Sequence, residues 1–354
     1  MDADDNFIAA LPKAELHVHL DGSLRASTMF ELAFERGVQL PAPLPDALRS
    51  HMLVPEGASL EEYLERFDLT LAVMQDAEAL ERISHELILD HAAENVRWVE
   101  VRFCPQLNRR QGLSVDEVLD AALRGMRRAE HEVANAGGQI ESAIIVCGLR
   151  SHAARVTTET AEAAVAYAGR GICGFDLAGA EAGHPVSDHR DAVDRAHAAG
   201  LPITLHAGEG FGPESIRQAL DVGHARRIGH GTRLHEDPSL LERVREQGIP
   251  LEVCLTSNVQ TGVVPRLADH PAHRYQQGGI AVSLGTDNRL MSGVTLRDEY
   301  AHARDQLGMT RAELVTVARA GFEHAFVSDG MRRRMLEDFD AYLSAAEGGR
   351  TPSD

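Results

Sequence analysis

The sequence is poor in lysine and in long hydrophobic runs. Lys13 is the only lysine, so every other basic residue is arginine. No apolar run approaches the roughly 18 residues that a membrane-spanning helix needs, and the acidic segment 1–13 lacks the apolar core of a signal peptide. We therefore expect a cytoplasmic protein without a membrane partner.

Cysteine is also scarce, and no two cysteines form a Cys-x-x-Cys motif. The four cysteines are Cys104, Cys147, Cys173 and Cys254. Each lies in or at the end of an apolar, strand-like run, where a thiol packs as a small apolar group. Buried free thiols are therefore favoured over disulfides or a redox motif.

Positive charge is in deficit over the whole chain. There are 35 Lys and Arg against 54 Asp and Glu, which gives a formal net charge of −19. A nucleic-acid-binding protein needs a basic surface for the phosphate backbone, so the composition argues against that class. With 354 residues, 44% of them hydrophobic, the chain is long and apolar enough to bury a sizeable core.

Eight apolar runs rich in β-branched residues recur along the chain, and most are separated by stretches of helical character. The runs are Glu15–Leu20, Val96–Pro105, Ile140–Leu149, Gly171–Ala178, Pro202–His206, Arg226–His230, Pro250–Leu255 and Ile280–Leu284. The segment Val115–Ala134 is a typical separator, because Val118, Ala122 and Met126 fall on one face of a helix. Eight strand–helix units predict an α/β fold, a (β/α)8 barrel of the TIM type, with residues 1–354 forming one domain.

Only the connection after strand 1 is long, from about residue 21 to 95, and we expect it to be a helical insertion with three helix-like pieces. In the middle piece, Ser59 and Glu62 form a capping box that precedes apolar residues at helical spacing. These are Leu60, Tyr63, Leu64, Phe67, Leu71 and Met74. The pattern favours a core-facing helix over a lid, although both can hold beside the mouth of a barrel. Extra C-terminal helices are expected near Arg311–Ala325 and Met331–Ala346.

Polar residues cluster at the C-terminal ends of the predicted strands, where barrels of this type have their active sites. His17 and His19 lie two residues apart on strand 1, so their side chains point to the same face. His206 ends strand 5, and Asp287 follows strand 8. Three imidazoles and one carboxylate suit zinc, so the sequence predicts that these four residues bind Zn²⁺.

A strand-end His-x-His pair also occurs in binuclear metal hydrolases of this fold, which usually bridge their metals with a carboxylated lysine on strand 4. Here the single lysine, Lys13, precedes strand 1, so that bridge cannot form. Glu181 is the only residue at the end of strand 4 that could substitute for it. One metal ion per chain is therefore favoured.

Two further residues are candidates for catalysis. Glu209 follows His206 by three residues and is not needed as a ligand, so it is a candidate general acid/base, the alternative being a helix N-cap. His230 stands between two glycines and could orient an attacking hydroxide or stabilise charge in the transition state. The alternative for His230 is a structural histidine.

Together these residues resemble the adenosine deaminases of the amidohydrolase superfamily, from about Leu11 to Asn288. The motifs are Pro-Lys-Ala-Glu-Leu-His-Val-His-Leu-Asp-Gly at 12–22, Asp-Leu-Ala-Gly-Ala-Glu at 176–181, His-Ala-Gly-Glu at 206–209, Gly-His-Gly at 229–231, Ser-Asn at 257–258 and Thr-Asp at 286–287. Each motif alone is weak evidence. Their order, and their positions at the strand ends, make the set specific.

The resemblance implies the same four zinc ligands and a role for each remaining site residue. Glu209 would protonate N1 of a purine and handle the proton of water, while His230 would position the attacking hydroxide. Gly179 would donate its backbone N–H to purine N3, Asp21 would accept a hydrogen bond from a ribose hydroxyl, and His19 would also border the substrate. Attack at C6 would then expel ammonia and leave a 6-oxopurine, from a small-molecule purine nucleoside.

One position departs from the family, which usually has two consecutive aspartates where this chain has Asp287 and Asn288. The amide of Asn288 can donate to purine N7 without being protonated, so a purine remains compatible. The substrate is left open among adenosine, 2′-deoxyadenosine, adenine, N6-substituted adenines and 6-aminodeoxyfutalosine. Asp21 favours adenosine, because a free base has no ribose and a benzoate-bearing extension does not suit a carboxylate. Arg25 is either a partner for an anionic extension or a solvated charge at a helix start.

Two other classes of protein share parts of this pattern with a deaminase. A non-catalytic nucleoside-binding barrel would be expected to lose a metal ligand or a catalytic residue, whereas the four ligands, Glu209 and His230 are all present. A metal-dependent amide or ester hydrolase would use the same residues, and only the resemblance argues against it.

Overall fold

Eight parallel strands alternate with helices along the chain. The computed structural model describes residues 3–55 and 66–347. The strands are β1 (Lys13–His19), β2 (Val96–Phe103), β3 (Glu141–Leu149), β4 (Ile172–Ala178), β5 (Thr204–Ala207), β6 (Arg227–His230), β7 (Leu251–Val253) and β8 (Val282–Leu284). Each strand overlaps one of the eight predicted runs.

The strands form two four-stranded parallel sheets, β1-β2-β3-β4 and β5-β6-β7-β8, that close on each other. A parallel bridge between Phe175 and Ile203 joins β4 to β5, and a bridge between Val18 and Asp287 joins β1 to the end of β8. The strands therefore form a ring, which confirms the predicted (β/α)8 barrel. The assignment of the whole chain to one domain remains a proposal.

The described residues also contain sixteen α-helices, most of them outside the ring of strands. They are α1 (Ala3–Ala10), α2 (Ala26–Arg36), α3 (Pro45–Met52), α4 (Phe67–Val73), α5 (Ala77–Ala93), α6 (Val115–Asn135), α7 (Ala154–Ala166), α8 (Arg190–Ala198), α9 (Pro213–Asp221), α10 (Pro238–Glu246), α11 (Leu255–Gln260), α12 (Ala272–Gln277), α13 (Arg289–Ser292), α14 (Leu296–Asp305), α15 (Arg311–His324) and α16 (Asp329–Glu347). Short 3₁₀ turns lie at Pro105–Asn108, Val186–His189, Thr232–Glu236 and Leu267–Asp269. In this part of the chain no helix is long and apolar enough to cross a membrane.

Helix α6 shows how the sequence forms these elements. Ser114 accepts a hydrogen bond from the backbone N–H of Glu117, whose side chain bonds back to Ser114, so a capping box starts the helix. The predicted apolar face, including Val118, Ala122 and Met126, is buried. The capping box therefore sets where the helix begins, and the helical spacing of its apolar residues sets which face packs on the core.

The connection after β1 has four helices in its described part, α2 to α5, which is one more than predicted. Helix α2 ends at Gly37, whose φ of 66° is left-handed, and Pro45 starts a separate helix. The predicted capping box of Ser59 and Glu62, like Leu60, Tyr63 and Leu64, lies outside the described residues. The later part of that pattern is core-facing, because Leu71 and Met74 are buried.

The C-terminal helices and the cysteines largely agree with the sequence analysis. Helices α15 and α16 match the two predicted C-terminal helices within two residues at each end. All four cysteines are free, and three are buried, whereas Cys173 is only half-buried.

The interior of the barrel holds charged side chains, whereas many TIM barrels fill this space with branched apolar residues. Arg102 of β2 donates to Asp176 of β4 at 2.9 Å and to Glu252 of β7 at 2.7 Å. Arg227 of β6 donates to Glu252 at 2.6 Å and also pairs with Glu100 of β2. These five side chains are at most 1% exposed. They cross-link the two sheets directly beneath the C-terminal ends of the strands.

Candidate active site

The four predicted metal ligands meet at the C-terminal end of the barrel. His17 Nε2 and His19 Nε2 each lie 3.1 Å from His206 Nε2. Asp287 Oδ1 lies 3.6 Å from His17 Nε2 and 3.4 Å from His19 Nε2. Four atoms at the corners of a tetrahedron, each about 2.0–2.1 Å from a central ion, are about 3.3 Å apart. The spacing therefore fits one tetrahedral metal ion.

Carboxylates behind the imidazoles aim two of these nitrogen atoms at the centre. Glu252 Oε2 lies 3.0 Å from His17 Nδ1, and Asp176 Oδ2 lies 2.8 Å from His206 Nδ1. With Nδ1 as the donor to a carboxylate, the Nε2 lone pair is left for a metal. His19 has no equivalent support among the described residues, because Asp21 Oδ1 is 4.0 Å from its Nδ1.

Asp287 is fixed by its backbone as well as by its side chain. Its φ of 58° is left-handed, its N–H donates to the carbonyl of His17 at 3.0 Å, and Ser257 Oγ donates to its Oδ2 at 2.6 Å. Burial opposes ionisation of this carboxyl, but the hydrogen bond with His17 and the electrostatic interaction with the neighbouring histidines hold the pKa of Asp287 well below its usual range. It is therefore a carboxylate at neutral pH, which is the form that binds metals.

His230 completes the cluster and presents one defined nitrogen to it. Potential ligand atoms of His17, His206, His230 and Asp287 all lie within 4.8 Å of one another. Burial is the largest cause that lowers the pKa of His230 well below its usual range, and the nearby His17 adds to it. The ring is therefore neutral at pH 7 and carries a single N–H.

The position of that N–H follows from Asn258. Asn258 Oδ1 accepts from Thr232 Oγ1 at 2.7 Å and lies 3.1 Å from His270 Nε2, so its NH₂ group faces His230 Nδ1 at 3.1 Å. In this assignment Nδ1 is the acceptor and Nε2 carries the proton. The Nε2–H of His230 then points toward the ligand cluster and lies 3.4 Å from Glu209 Oε2.

Glu209 lies next to His230, just after β5. Its Oε1 lies 3.3 Å from Thr261 Oγ1, and 7% of its surface is exposed. Burial raises the pKa of Glu209 well above its usual range, and the carboxylates of Asp287 and Glu181 raise it further. Burial therefore favours the protonated form, in which the side chain can act as an acid. A cavity of about 430 Å³ opens over it.

Glu181 serves the loop that carries Glu209 rather than a second metal ion. Its Oε1 accepts from the backbone N–H groups of Glu209 and Gly210, and its Oε2 accepts from the N–H of Gly208, each at 2.9 Å. The hydroxyl of Ser215 also donates to Oε2. These four bonds commit both oxygen atoms, so the arrangement does not favour Glu181 as a metal bridge.

The residues predicted to contact the substrate lie at or just after the C-terminal ends of β1, β4 and β8. The Oδ1 atoms of Asp21 and Asn288 are buried without a hydrogen-bond partner in the structure, and burial raises the pKa of Asp21 to about 7. Asn288 packs directly on Gly22, where a Cβ atom would lie only 1.7 Å from its Oδ1. Gly179, at the end of β4, has a left-handed φ of 90°. Arg25, by contrast, pairs with Asp90 at 2.6 Å as an exposed ion pair near the start of α2.

Sequence reasoning missed the residues that orient the site. Glu252, Asp176 and Asn258 each hold a histidine, but none was assigned a role. Their signal was a charged or amide residue within or just after an apolar run, a position where an unpaired polar group is costly. A polar residue in such a position indicates that it needs a hydrogen-bond partner, but the sequence does not show which residue that partner is.

Comparisons with known proteins agree with this geometry. The family model described as adenosine deaminase matches residues 12–342. The adenosine deaminase of Shewanella woodyi is 38% identical over 329 residues, covering 93% of this chain and 98% of that relative. The adenosine deaminase of Mycobacteroides abscessus is 41% identical over 344 residues, covering 94% of both chains.

Solved structures with the same fold include enzymes with other purine substrates. The adenine deaminase of Arthrobacter aurescens has a TM-score of 0.86 at 28% identity, covering 95% of this chain and all of that one. The Arabidopsis N6-mAMP deaminase has a TM-score of 0.85 at 30% identity, covering 95% and 99%. A zinc-bound amidohydrolase from Burkholderia ambifaria has a TM-score of 0.86 at 25% identity, covering 98% and 96%. The chain belongs to the adenosine deaminase family and is a hydrolytic deaminase.

Proposed function

We propose that this enzyme deaminates adenosine and 2′-deoxyadenosine, giving inosine or 2′-deoxyinosine and ammonia. The observation that carries the proposal is the meeting of four candidate metal-ligand atoms with the buried side chains of Glu209 and His230, whose Oε2 and Nε2 atoms lie 3.4 Å apart. This combination supplies a metal position, an acid and a hydrogen-bond donor within a few ångströms. The two relatives compared above are both adenosine deaminases.

We propose one Zn²⁺ per chain, held by His17, His19, His206 and Asp287. A set of three imidazoles and one carboxylate at near-tetrahedral spacing suits zinc, and the amidohydrolase from Burkholderia ambifaria contains zinc. When bound, the ion supplies a nucleophile at neutral pH by lowering the pKa of water. His230 is a fifth side chain close to the proposed ion position and is an alternative ligand. We assign it instead to a contact with the substrate.

Glu209 is proposed to move the protons of the reaction. As an acid it donates to N1 of the purine, which makes C6 electrophilic while a water oxygen adds there. The resulting carboxylate carries the proton from the water to the amino group. The C6–N bond then breaks and ammonia leaves, while the hydroxyl on C6 returns its proton to Glu209, so a 6-oxopurine and the acid form of Glu209 remain. A side chain whose burial favours the protonated form suits this order of events.

His230 and three further residues are proposed to position the reactants. The Nε2–H of His230 can donate to the oxygen that attacks C6 and so stabilise its developing charge. The backbone N–H of Gly179 is assigned to N3 and the amide of Asn288 to N7. Asp21 is assigned to a ribose hydroxyl, and its buried Oδ1 lacks a hydrogen-bond partner among the described residues.

A second candidate substrate class is adenine or an N6-substituted adenine nucleotide. Two structures of the same fold are an adenine deaminase and an N6-mAMP deaminase, and their identity to this chain is only 28% and 30%. We rank adenosine first because the adenosine deaminases compared are 38% and 41% identical.

The proposal is tested by 6-oxopurine formation from adenosine, 2′-deoxyadenosine, adenine, N6-methyl-AMP and 6-aminodeoxyfutalosine. Zinc-loaded protein should give the highest kcat/KM with adenosine or its deoxy form. Glu209→Gln should lower kcat by about 10²–10⁴-fold, since it removes the acid. A higher kcat/KM with adenine or a nucleotide than with adenosine would refute the substrate assignment. An active Glu209→Gln enzyme would refute the mechanism.

The ribose contact has its own test within that panel. Asp21→Ala should raise KM for adenosine more than KM for adenine, because only adenosine has a ribose for Asp21 to contact. Equal effects on the two substrates would contradict this role.

A further inference from the structure

The side chain of Glu209 has few contacts that could fix its position. Among the described residues, its carboxyl group contacts Thr261 Oγ1 at 3.3 Å and His230 Nε2 at 3.4 Å, and both distances are long for strong hydrogen bonds. A proton donor must reach its acceptor to within about 2.6–3.2 Å. The accuracy of its placement must therefore come from the backbone.

The carbonyl side of the Glu209 loop is tied to the end of β6. Gly231 donates its N–H to the carbonyl of Ala207, and Arg233 donates its N–H to the carbonyl of Gly208, both at 3.0 Å. Gly208 itself has a left-handed φ of 74°, and a Cβ atom there would lie 2.5 Å from Ile216 Cδ1. Conformation and packing both require glycine at this point.

The amide side of the loop converges on one carboxylate. The N–H groups of residues 208, 209 and 210 all point to Glu181, which is only 4% exposed. Successive amides that point inward form a concave anion site, and here a side chain of the same protein fills it. Because Glu181 follows β4 and the loop follows β5, the clamp spans the junction of the two sheets.

We propose that Glu181 is a positioning residue that holds Glu209 ready for proton transfer by clamping the amides of residues 208–210. The inference rests on the proposed role of Glu209. Among the described residues, the carboxylate of Glu181 bonds to the three amides and to Ser215, and none of the candidate metal ligands is among these partners. We expect it to affect the reaction rate only by fixing the position of the Glu209 side chain.

The main test is Glu181→Gln, which preserves size but turns an NH₂ group toward an amide donor. In the zinc-loaded enzyme, kcat for adenosine should fall about 10²-fold, as expected for a misplaced catalytic group. KM should change by less than about threefold, because ground-state contacts are kept. Zinc content, and zinc affinity measured by chelator competition, should match those of the unaltered enzyme.

Ser215→Ala is the matched control, because it removes the hydroxyl that donates to Glu181 and accepts at 3.2 Å from the N–H of Gly208, but leaves the three amide bonds to Glu181 in place. Its kcat should fall by less than about tenfold, in keeping with the loss of two ordinary hydrogen bonds while the clamp is kept. Glu181→Ala adds a second readout, because it empties the amide site. Formate or acetate should restore part of its kcat but should not help Glu181→Gln, in which the site is still filled.

The outcomes separate this inference from the proposed function. If Glu209→Gln is inactive while Glu181→Gln keeps its kcat, the clamp is refuted and the mechanism stands. If Glu209→Gln is active, the proposed function itself fails. Loss of zinc in step with loss of activity in Glu181→Gln would place Glu181 in the metal centre and overturn the inference. Should Glu181→Ala fail to fold, the equal-sized Glu181→Gln decides.

Discussion

Ion pairs inside the barrel and ion pairs on its outer helices differ in burial and in what they contact. Inside, Glu252 contacts two arginines and the candidate metal ligand His17, all nearly inaccessible to solvent. On α7, Arg155 and Glu159 pair one turn apart with 80% and 45% of their side chains exposed. An arginine–glutamate pair therefore helps to orient the site inside the barrel, whereas on the outer surface it joins two exposed residues of the same helix.

The difference has a physical cause. Moving a charged side chain out of water costs on the order of several kcal/mol per ion. A buried ion pair therefore adds little net stability by itself. We infer that this network, which lies beneath the candidate site, supplies a fixed orientation of His17 and His206. Exposed pairs gain about 0–1 kcal/mol and fix little. Three substitutions test this contrast.

The largest effect is expected from Glu252→Gln, which leaves Arg102 and Arg227 without their shared carboxylate. The free energy of unfolding, measured by chemical denaturation, should fall by about 3–5 kcal/mol. In the folded protein Arg102 and Arg227 hold the pKa of Glu252 well below its usual range, despite burial. Its contribution is thus complete above the unfolded pKa and fades on acidification, so the variant should lose less stability than the parent as pH falls. Unchanged stability would show that the interior network is dispensable.

An intermediate effect is expected from Asp176→Asn, which removes the carboxylate behind His206 and one partner of Arg102. The affinity for zinc, measured by chelator competition, should fall about 10–100-fold, as for other residues that orient metal ligands. His206→Ala gives the reference value for complete loss of a ligand. An affinity equal to that of the parent would mean that the carboxylate does not aim the ring.

The smallest effect is expected from Arg155→Ala on the outer surface. The pair has arginine before glutamate along the helix, which is the less favourable order. Unfolding free energy should change by less than about 0.5 kcal/mol, and zinc affinity and kcat should not change. A decrease in the free energy of unfolding of more than about 1 kcal/mol would contradict the contrast between surface and interior pairs.

Much of the fold could be predicted because its signals are local. All eight strands and helices such as α6 and α15 appear where their periodicity and caps indicate. The connection after β1 was less well predicted, since a break at Gly37 and a new start at Pro45 divide it further. Breaks of this kind depend on how short helices pack, which propensity alone does not decide.

The candidate site was predictable in part for the same reason. His17, His19, His206 and Asp287 were named from strand ends, because parallel strands bring their C-terminal ends together. Glu181 was named for a bridge that the structure does not favour, since its carboxylate accepts four hydrogen bonds from the neighbouring loop and Ser215. A carboxylate at a strand end can bind metal, amide or arginine, and only its neighbours decide.

The sequence by itself determined the elements, their order around the ring and the residue types at its mouth, because period, caps and turn residues act over a few positions. Tertiary structure alone decided the partners. Glu252 meets His17 across 235 residues, and Asn258 sets the tautomer of His230 through contacts with Thr232 and His270. Strand periodicity tells which way a side chain faces, but a partner across the barrel depends on the register and curvature of all eight strands.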